Sequence, residues 1–144
     1  MMRLALLILF CFGTGRVVAQ GTLTVISHPN GSPSELKLTE LRAILLGERQ
    51  RWRNGSKIQI GLMKTNTPVG KTISEKIYNM SPDDVRKYWL ALVFQGKAEA
   101  PVFFNTTTEL QAFVADNPGA IGVLDQPLPD YNTTVVVVDG KRSF

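Results

Sequence analysis

The segment from residue 41 to residue 55 constrains the fold of this chain more than any other stretch. Leucine and isoleucine recur at spacings of three and four around its start, which predicts an amphipathic helix over 38–46. Gly47 can adopt the left-handed conformation that often ends a helix, and Asn54-Gly55 predicts a tight turn. An apolar run over 58–63 then predicts a strand. These elements form one αβ unit, and we expect the remaining elements to pack around it.

The rest of the chain repeats this alternation of strands and helices. Runs rich in β-branched or apolar residues predict three further strands, over 22–27, 120–124 and 133–138. Capping residues predict three further helix starts, from a cap within 65–67, from Ser81 and from a cap within 106–108. Strands that alternate with helices are typical of an α/β domain with a mostly parallel sheet flanked by helices.

Two expectations concern the helix that begins after Ser81 and the segment that follows it. Its apolar residues recur at helical spacing and predict one inner side, made of Val85, Tyr88, Trp89, Leu92 and Val93. The next segment, 97–105, contains proline and lacks a clear period, so it is predicted to be an irregular connection.

The first nineteen residues differ in kind from the rest. Arg3 precedes an apolar run over 4–12, and small residues end at Ala19. This is the three-part pattern of a cleaved secretory signal peptide, and the apolar run is too short for a bilayer span of about 20 residues. The pattern predicts a periplasmic domain over 20–144. Cys11 is the only cysteine, so this domain would contain no disulfide.

Charge and residue counts argue against several classes of function. The whole sequence carries 16 basic and 12 acidic residues, and loss of Arg3 and Arg16 with the signal would leave a surplus of only two positive charges. No ladder of aromatic residues interleaves with the basic ones as in a nucleic-acid site. His28 is the only histidine, and no metal-ligand spacing or catalytic triad pattern accompanies it. We therefore predict neither an enzyme, nor a cofactor, nor a metal site, nor a nucleic-acid partner.

Three segments, in the same order, resemble phosphate ABC transporter substrate-binding proteins. They are Leu-Arg-Ala-Ile-Leu-Leu-Gly at 41–47 with the following Trp52, the segment 80–94, and Asn-Pro-Gly-Ala-Ile-Gly-Val at 117–123. The resemblance covers roughly 23–125. It implies a single lobe of a type II periplasmic-binding-protein-like fold, whereas full-length members of that family have two lobes that close on the ligand.

The resemblance also implies a place for an anion. The family motif Arg-Ser-Asp-Gly-Ser-Gly-Thr would fall on 64–70, with lysine in place of arginine and asparagine in place of aspartate. Free N–H groups at a helix start favour phosphate or another small oxyanion. The predicted anion-binding residues are Lys64, Thr65, Asn66, Thr67, Gly70 and Lys71. The alternative is an ordinary capped and solvated helix start.

The basic loop around Trp52 is a second candidate site. Tryptophan and arginine are enriched at binding hot spots, so Arg51, Trp52 and Arg53 are candidate partner-binding residues. The alternative is that Trp52 covers the core and the arginines are solvated. Two functions therefore remain open: an oxyanion-binding domain in which a second copy or a partner protein replaces the missing lobe, or an envelope interaction module without a ligand.

Overall fold

The computed structural model describes residues 21–144, so the predicted signal peptide over 1–19 lies outside the described residues. The strands are β1 (Thr24–Ser27), β2 (Glu35–Leu36), β3 (Gln59–Met63), β4 (Val102–Phe104), β5 (Ala120–Leu124) and β6 (Thr134–Val138). The α-helices are α1 (Leu38–Leu45), α2 (Pro68–Ile73), α3 (Pro82–Phe94) and α4 (Thr107–Asp116). A π-helical turn, Ser74–Tyr78, continues α2.

All six strands form one sheet, in the order β2-β6-β1-β5-β3-β4. The neighbours β2 and β6, β5 and β3, and β3 and β4 are parallel, whereas β1 is antiparallel to both β5 and β6. The predicted α/β class with a mostly parallel sheet is therefore confirmed. The exception, β1, comes from the beginning of the described chain and lies between two strands from its end.

Helices cover both faces of this sheet. On β5, Ile121 and Val123 point into a large apolar cluster that includes residues of α1, α2, the π-helical turn and α3. Ala120 and Leu124, at alternate positions, point into a smaller cluster with α4. Because successive side chains of a strand point to opposite faces, the unbroken apolar run of β5 can contribute to both layers.

Three hydroxyl side chains start the helices that the sequence predicts. Thr67, Ser81 and Thr106 each have extended backbone and accept a hydrogen bond from the N–H three residues later, at 3.0, 3.1 and 3.2 Å. Such caps satisfy backbone N–H groups that have no partner inside the helix. The predicted starts are therefore confirmed.

The end of α1 is closed by aromatic side chains from distant helices. The hydroxyl of Tyr78 donates to the Leu45 carbonyl at 2.6 Å, and that of Tyr88 donates to the Leu46 carbonyl at 2.5 Å. Trp89 Nε1 in turn donates to the buried Tyr78 hydroxyl at 3.0 Å. Gly47 follows with a φ of +75°, as predicted. These bonds fasten α1 to the π-helical turn and α3.

Two predictions for the chain after Ser81 are wrong. Val93 was expected on the inner side of α3, but it is 44% exposed. The segment 97–105 was expected to be irregular, but it contains β4, which pairs with β3 through Val102, Phe103 and Phe104. This strand has only three residues and depends on its neighbour for hydrogen bonds, so the local pattern does not reveal it.

Candidate functional site

The sheet has a topological switch point between β3 and β4. Both strands are parallel, so their carboxyl ends meet at one edge of the sheet. The helix that follows β3 sends Ile73 into the larger apolar cluster, whereas the helix that follows β4 sends Leu110 into the smaller cluster on the opposite face. Ligands of open α/β sheets commonly bind in the crevice outside such a pair of strand ends.

The loop after β3 is tightly folded onto the start of α2. Thr67 Oγ1 donates to the Lys64 carbonyl at 2.6 Å and also accepts from the Gly70 N–H at 3.0 Å. A Cβ atom on Gly70 would lie 2.0 Å from the same carbonyl oxygen, so only glycine fits there. The proton of the Thr67 hydroxyl and the Gly70 N–H are therefore both used to hold the loop.

A pocket of about 300 Å³ opens beside this loop. Its lining residues come from the loop, from α3 and from β4: Lys64, Thr65, Asn66, Arg86 and Phe103. The side chains of Lys64, Asn66 and Arg86 are exposed, whereas Thr65 and Phe103 are half-buried. The pocket thus combines two cationic groups, a hydroxyl and an amide with one aromatic wall.

Two cationic side chains share one carboxylate on the α3 side of the pocket. Arg86 forms an ion pair with Asp83, and Lys87 contacts the other carboxylate oxygen of Asp83 at 3.1 Å. The hydrogen bond and charge of Lys87, followed by the charge of Arg86, lower the pKa of Asp83. Asp83 therefore contacts two cations, Asp84 is a second, exposed carboxylate on the same turn, and Lys64 adds a positive charge from the loop.

Part of the predicted anion-binding set lies together at this pocket. Lys64, Thr65 and Asn66 line it, while Thr67 and Gly70 support the loop and Lys71 is exposed on α2 outside the lining. Sequence reasoning did not identify Arg86 or Phe103 as lining residues. No local pattern distinguishes Arg86 from other helix-surface residues, because its position follows from how α3 and β4 pack.

The basic loop before β3 is organised around a buried tryptophan. Trp52 is 4% exposed, and its Nε1 donates to the Gly119 carbonyl at 2.8 Å. The Arg49 guanidinium lies 5.9 Å from the indole centroid and forms a 3.2 Å ion pair with Glu40. Arg53 is exposed beside a pocket of about 400 Å³ that the edge of Trp52 also lines.

The other candidate partner-binding residue, Arg51, is exposed, and its guanidinium donates to the Gly55 carbonyl at 2.9 Å. The arrangement matches the expectation that Trp52 covers the core beneath solvated arginines. Partner binding by Arg51, Trp52 and Arg53 stays a prediction.

The only histidine of the sequence makes a local contact. His28 Nδ1 accepts a hydrogen bond from the Asn30 N–H at 2.9 Å, which is a local turn contact. Within residues 21–144, no three His, Cys, Asp or Glu side chains come together in a way that could hold a metal ion. Over the same residues, none of the helices has the length and apolar character needed to cross a bilayer.

Solved structures with a similar fold include the following three. A candidate phosphate ABC transporter substrate-binding protein from Clostridium perfringens, solved with bound phosphate, has a TM-score of 0.60, 16% identity and coverage of 84% of this chain and 47% of its own. An ABC-type phosphate transport receptor from Vibrio cholerae has a TM-score of 0.62 and 13% identity, and the match covers 87% of this chain and 50% of the receptor. A candidate phosphate-binding protein from Planctomyces limnophilus has a TM-score of 0.60 and 16% identity, and the match covers 83% of this chain and 43% of that protein.

The fold is that of one half of a phosphate ABC transporter substrate-binding protein. The chain spans about half the length of these solved structures, as expected for a single-lobe relative. No protein-family model matches the chain, and no curated protein sequence is significantly similar to it. The likeness to these substrate-binding proteins is therefore one of fold.

Proposed function

We propose that this chain is a non-catalytic binding domain that holds a small oxyanion, such as inorganic phosphate, at the switch point between β3 and β4. The proposal depends on one observation: Lys64 and Arg86 line the same pocket in a fold similar to that of phosphate-binding proteins. The similar protein from Clostridium perfringens was solved with phosphate bound, and the similar protein from Vibrio cholerae is a phosphate transport receptor.

The chemistry of the pocket supports an anion. Lys64 offers a compact charge and Arg86 offers a planar guanidinium with several N–H donors. Thr65 and Asn66 add a hydroxyl and an amide that can donate hydrogen bonds. Hydrogen bonds in which the donor or acceptor is charged are stronger than those between neutral groups. Two cations and two neutral donors at one pocket can therefore hold a small oxyanion.

The location of the protein is part of the same proposal. Substrate-binding proteins of ABC transporters present a solute to a membrane transporter, and the pattern over 1–19 predicts export. We infer that the mature domain, 20–144, acts in the periplasm. Because the pocket is open on one side, a second copy or a partner protein would be needed to enclose the anion as a second half does.

Calorimetric titration of the purified protein with phosphate, with sulfate as the competing anion, tests the proposal. Lys64→Ala and Arg86→Ala should each weaken phosphate binding about tenfold or more, because a hydrogen bond to a charged group contributes about 1.5–3 kcal/mol. Lys71→Ala is the matched control, since Lys71 is an exposed lysine nearby that does not line the pocket. Absence of saturable phosphate binding would refute inorganic phosphate as the ligand.

A further inference from the structure

A second, more apolar pocket continues from the candidate anion site. It has a volume of about 470 Å³ and lies between α3 and β4. Arg86 and Phe103 line both this pocket and the pocket beside the β3 loop, so the two pockets are adjacent. We call the part lined by Trp89, Leu90, Val93, Ala100 and Phe103 the α3–β4 groove.

Three cationic residues line the two pockets. Lys64 lines the pocket beside the β3 loop, Lys87 lines the more apolar pocket, and Arg86 lines both. Asp83 offsets one of these charges. The α3–β4 groove itself is lined mainly by apolar atoms. From Arg86 to Val93 the axis of α3 extends about 10 Å, at about 1.5 Å per residue.

The apolar end of the groove is open to water. Leu90 is 71% exposed and Val93 is 44% exposed, although both are large aliphatic residues on a regular helix. Scattered exposed apolar residues are ordinary, but adjacent ones that border a concave surface are typical of a binding site. Their exposure would be relieved by an apolar group lying along α3.

We propose that the ligand of this site is an amphiphilic organic oxyanion, with its anionic head at Lys64 and Arg86 and its apolar body in the α3–β4 groove. This inference rests on the proposed oxyanion function and specifies the class of ligand. A bare phosphate would leave the α3–β4 groove empty, whereas pockets of about 300–1,000 Å³ suit organic ligands with apolar bodies. The ligand binds as a dissolved single molecule rather than as part of a lipid bilayer.

Titration with octyl phosphate below its micellar concentration, compared with inorganic phosphate, tests the inference. Octyl phosphate should bind about tenfold or more tightly than phosphate, because its chain buries the apolar lining. 1-Octanol, which lacks the charge, should show no saturable binding. Lys64→Ala should weaken the binding of both anions, because both use the same cationic end.

Two sets of variants distinguish specific binding in the groove from non-specific hydrophobic binding to the protein surface. Leu90→Ser combined with Val93→Ser should remove the advantage of octyl phosphate and leave phosphate binding unchanged. Both residues are already exposed, so these changes should not prevent folding. Phe94→Ser is the matched control, because Phe94 is 93% exposed on the same helix but does not line the groove. An equal loss in the control would overturn the inference.

The outcomes distinguish this inference from the proposed function. Phosphate binding without tighter octyl phosphate binding would overturn the inference and leave the oxyanion function standing. Octyl phosphate binding that requires Lys64, without measurable phosphate binding, would support the inference and overturn phosphate as the ligand. Absence of both would overturn both. Binding to phosphatidylcholine vesicles that contain phosphatidic acid, without octyl phosphate binding, would overturn the inference. It would indicate that the site binds a membrane surface and not a dissolved molecule.

Discussion

The indole Nε1 of Trp52 donates a hydrogen bond of 2.8 Å to the carbonyl oxygen of Gly119. The two residues are 67 positions apart and belong to two of the segments that resemble phosphate-binding proteins. Gly119 has a φ of +82°, and a Cβ there would lie 2.7 Å from the Lys57 carbonyl oxygen. The two segments are therefore joined by one contact, which fixes the basic loop to the turn before β5.

We predict that Trp52→Phe lowers the free energy of unfolding by about 1–3 kcal/mol. The ring can remain buried, but the Gly119 carbonyl loses its 2.8 Å hydrogen bond and keeps only the longer bond of 3.4 Å from the Gln59 N–H. The loss of a short hydrogen bond at a buried polar group has a cost of this size. Urea denaturation followed by circular dichroism measures the change. Arg51→Ala is the control and should change stability by less than about 0.5 kcal/mol, because it is a surface substitution. Equal effects of the two variants would contradict this prediction.

Gly70→Ala should destabilise the protein and disturb the candidate site together. The added Cβ would overlap the Lys64 carbonyl, so the loop must move away from α2, and overpacking of this kind costs about 1–3 kcal/mol. Thermal unfolding and phosphate titration measure the two effects. Gly21→Ala is the control, since its Cβ would meet only the Thr72 hydroxyl at 3.6 Å. A fully stable Gly70→Ala protein would show that the loop does not hold this conformation.

Tyr78 makes stability depend on pH under alkaline conditions. Burial raises the pKa of its hydroxyl above the usual value near 10. Above pH 10 the unfolded chain releases this proton while the folded protein keeps it, so the free energy of unfolding falls by up to about 1.4 kcal/mol per pH unit. Below pH 10 both states hold the proton, and the group contributes no pH dependence.

Tyr78→Phe should therefore reduce the loss of stability between pH 10 and pH 11, measured by urea denaturation at each pH. At neutral pH the same variant should be less stable by about 1–3 kcal/mol, because the Leu45 carbonyl and the Trp89 indole N–H both lose their partner. Lysine titration affects both proteins equally and cancels in the comparison. Identical slopes for the two proteins would mean that Tyr78 ionises in the folded state.

Gln111 holds the loop between β5 and β6 from inside the protein. Its Nε2 donates to the Leu128 carbonyl at 2.9 Å and to Thr133 Oγ1 at 3.1 Å, and its Oε1 accepts from the Leu128 N–H at 2.8 Å. We predict that Gln111→Ala exposes residues 126–132 to proteolysis. The rate of cleavage in this loop measures the effect, and Gln126→Ala, at an exposed glutamine of the same loop, should leave it unchanged.

Features with local causes could be predicted from the sequence. The helix starts at Thr67, Ser81 and Thr106 depend on bonds to residues three positions away, and the apolar run of β5 is visible as a run. The loop after β3 was located by its resemblance to a family motif, and three of its residues line the pocket.

Features that depend on packing between distant segments could not be predicted. β4 exists because β3 supplies its hydrogen bonds, and Arg86 reaches the pocket because α3 packs beside β4. Gln111 is fully buried although glutamine is usually exposed, because a loop far along the chain supplies its three partners. The π-helical turn is a further case, since it brings Tyr78 into the core beside the end of α1.

The position of β1 has a consequence for the order in which the protein can fold. Its partners, β5 and β6, lie about a hundred residues later in the chain, and the backbone of Leu23 is bonded to that of Phe144 at 2.7 and 3.0 Å. The middle of the sheet therefore cannot close until the last strand has been synthesised. Pairings this distant slow folding, so a newly made chain stays open for longer than one built from local contacts. The export that the pattern over 1–19 predicts would benefit from this delay, because an exported chain must stay unfolded until it has crossed the membrane.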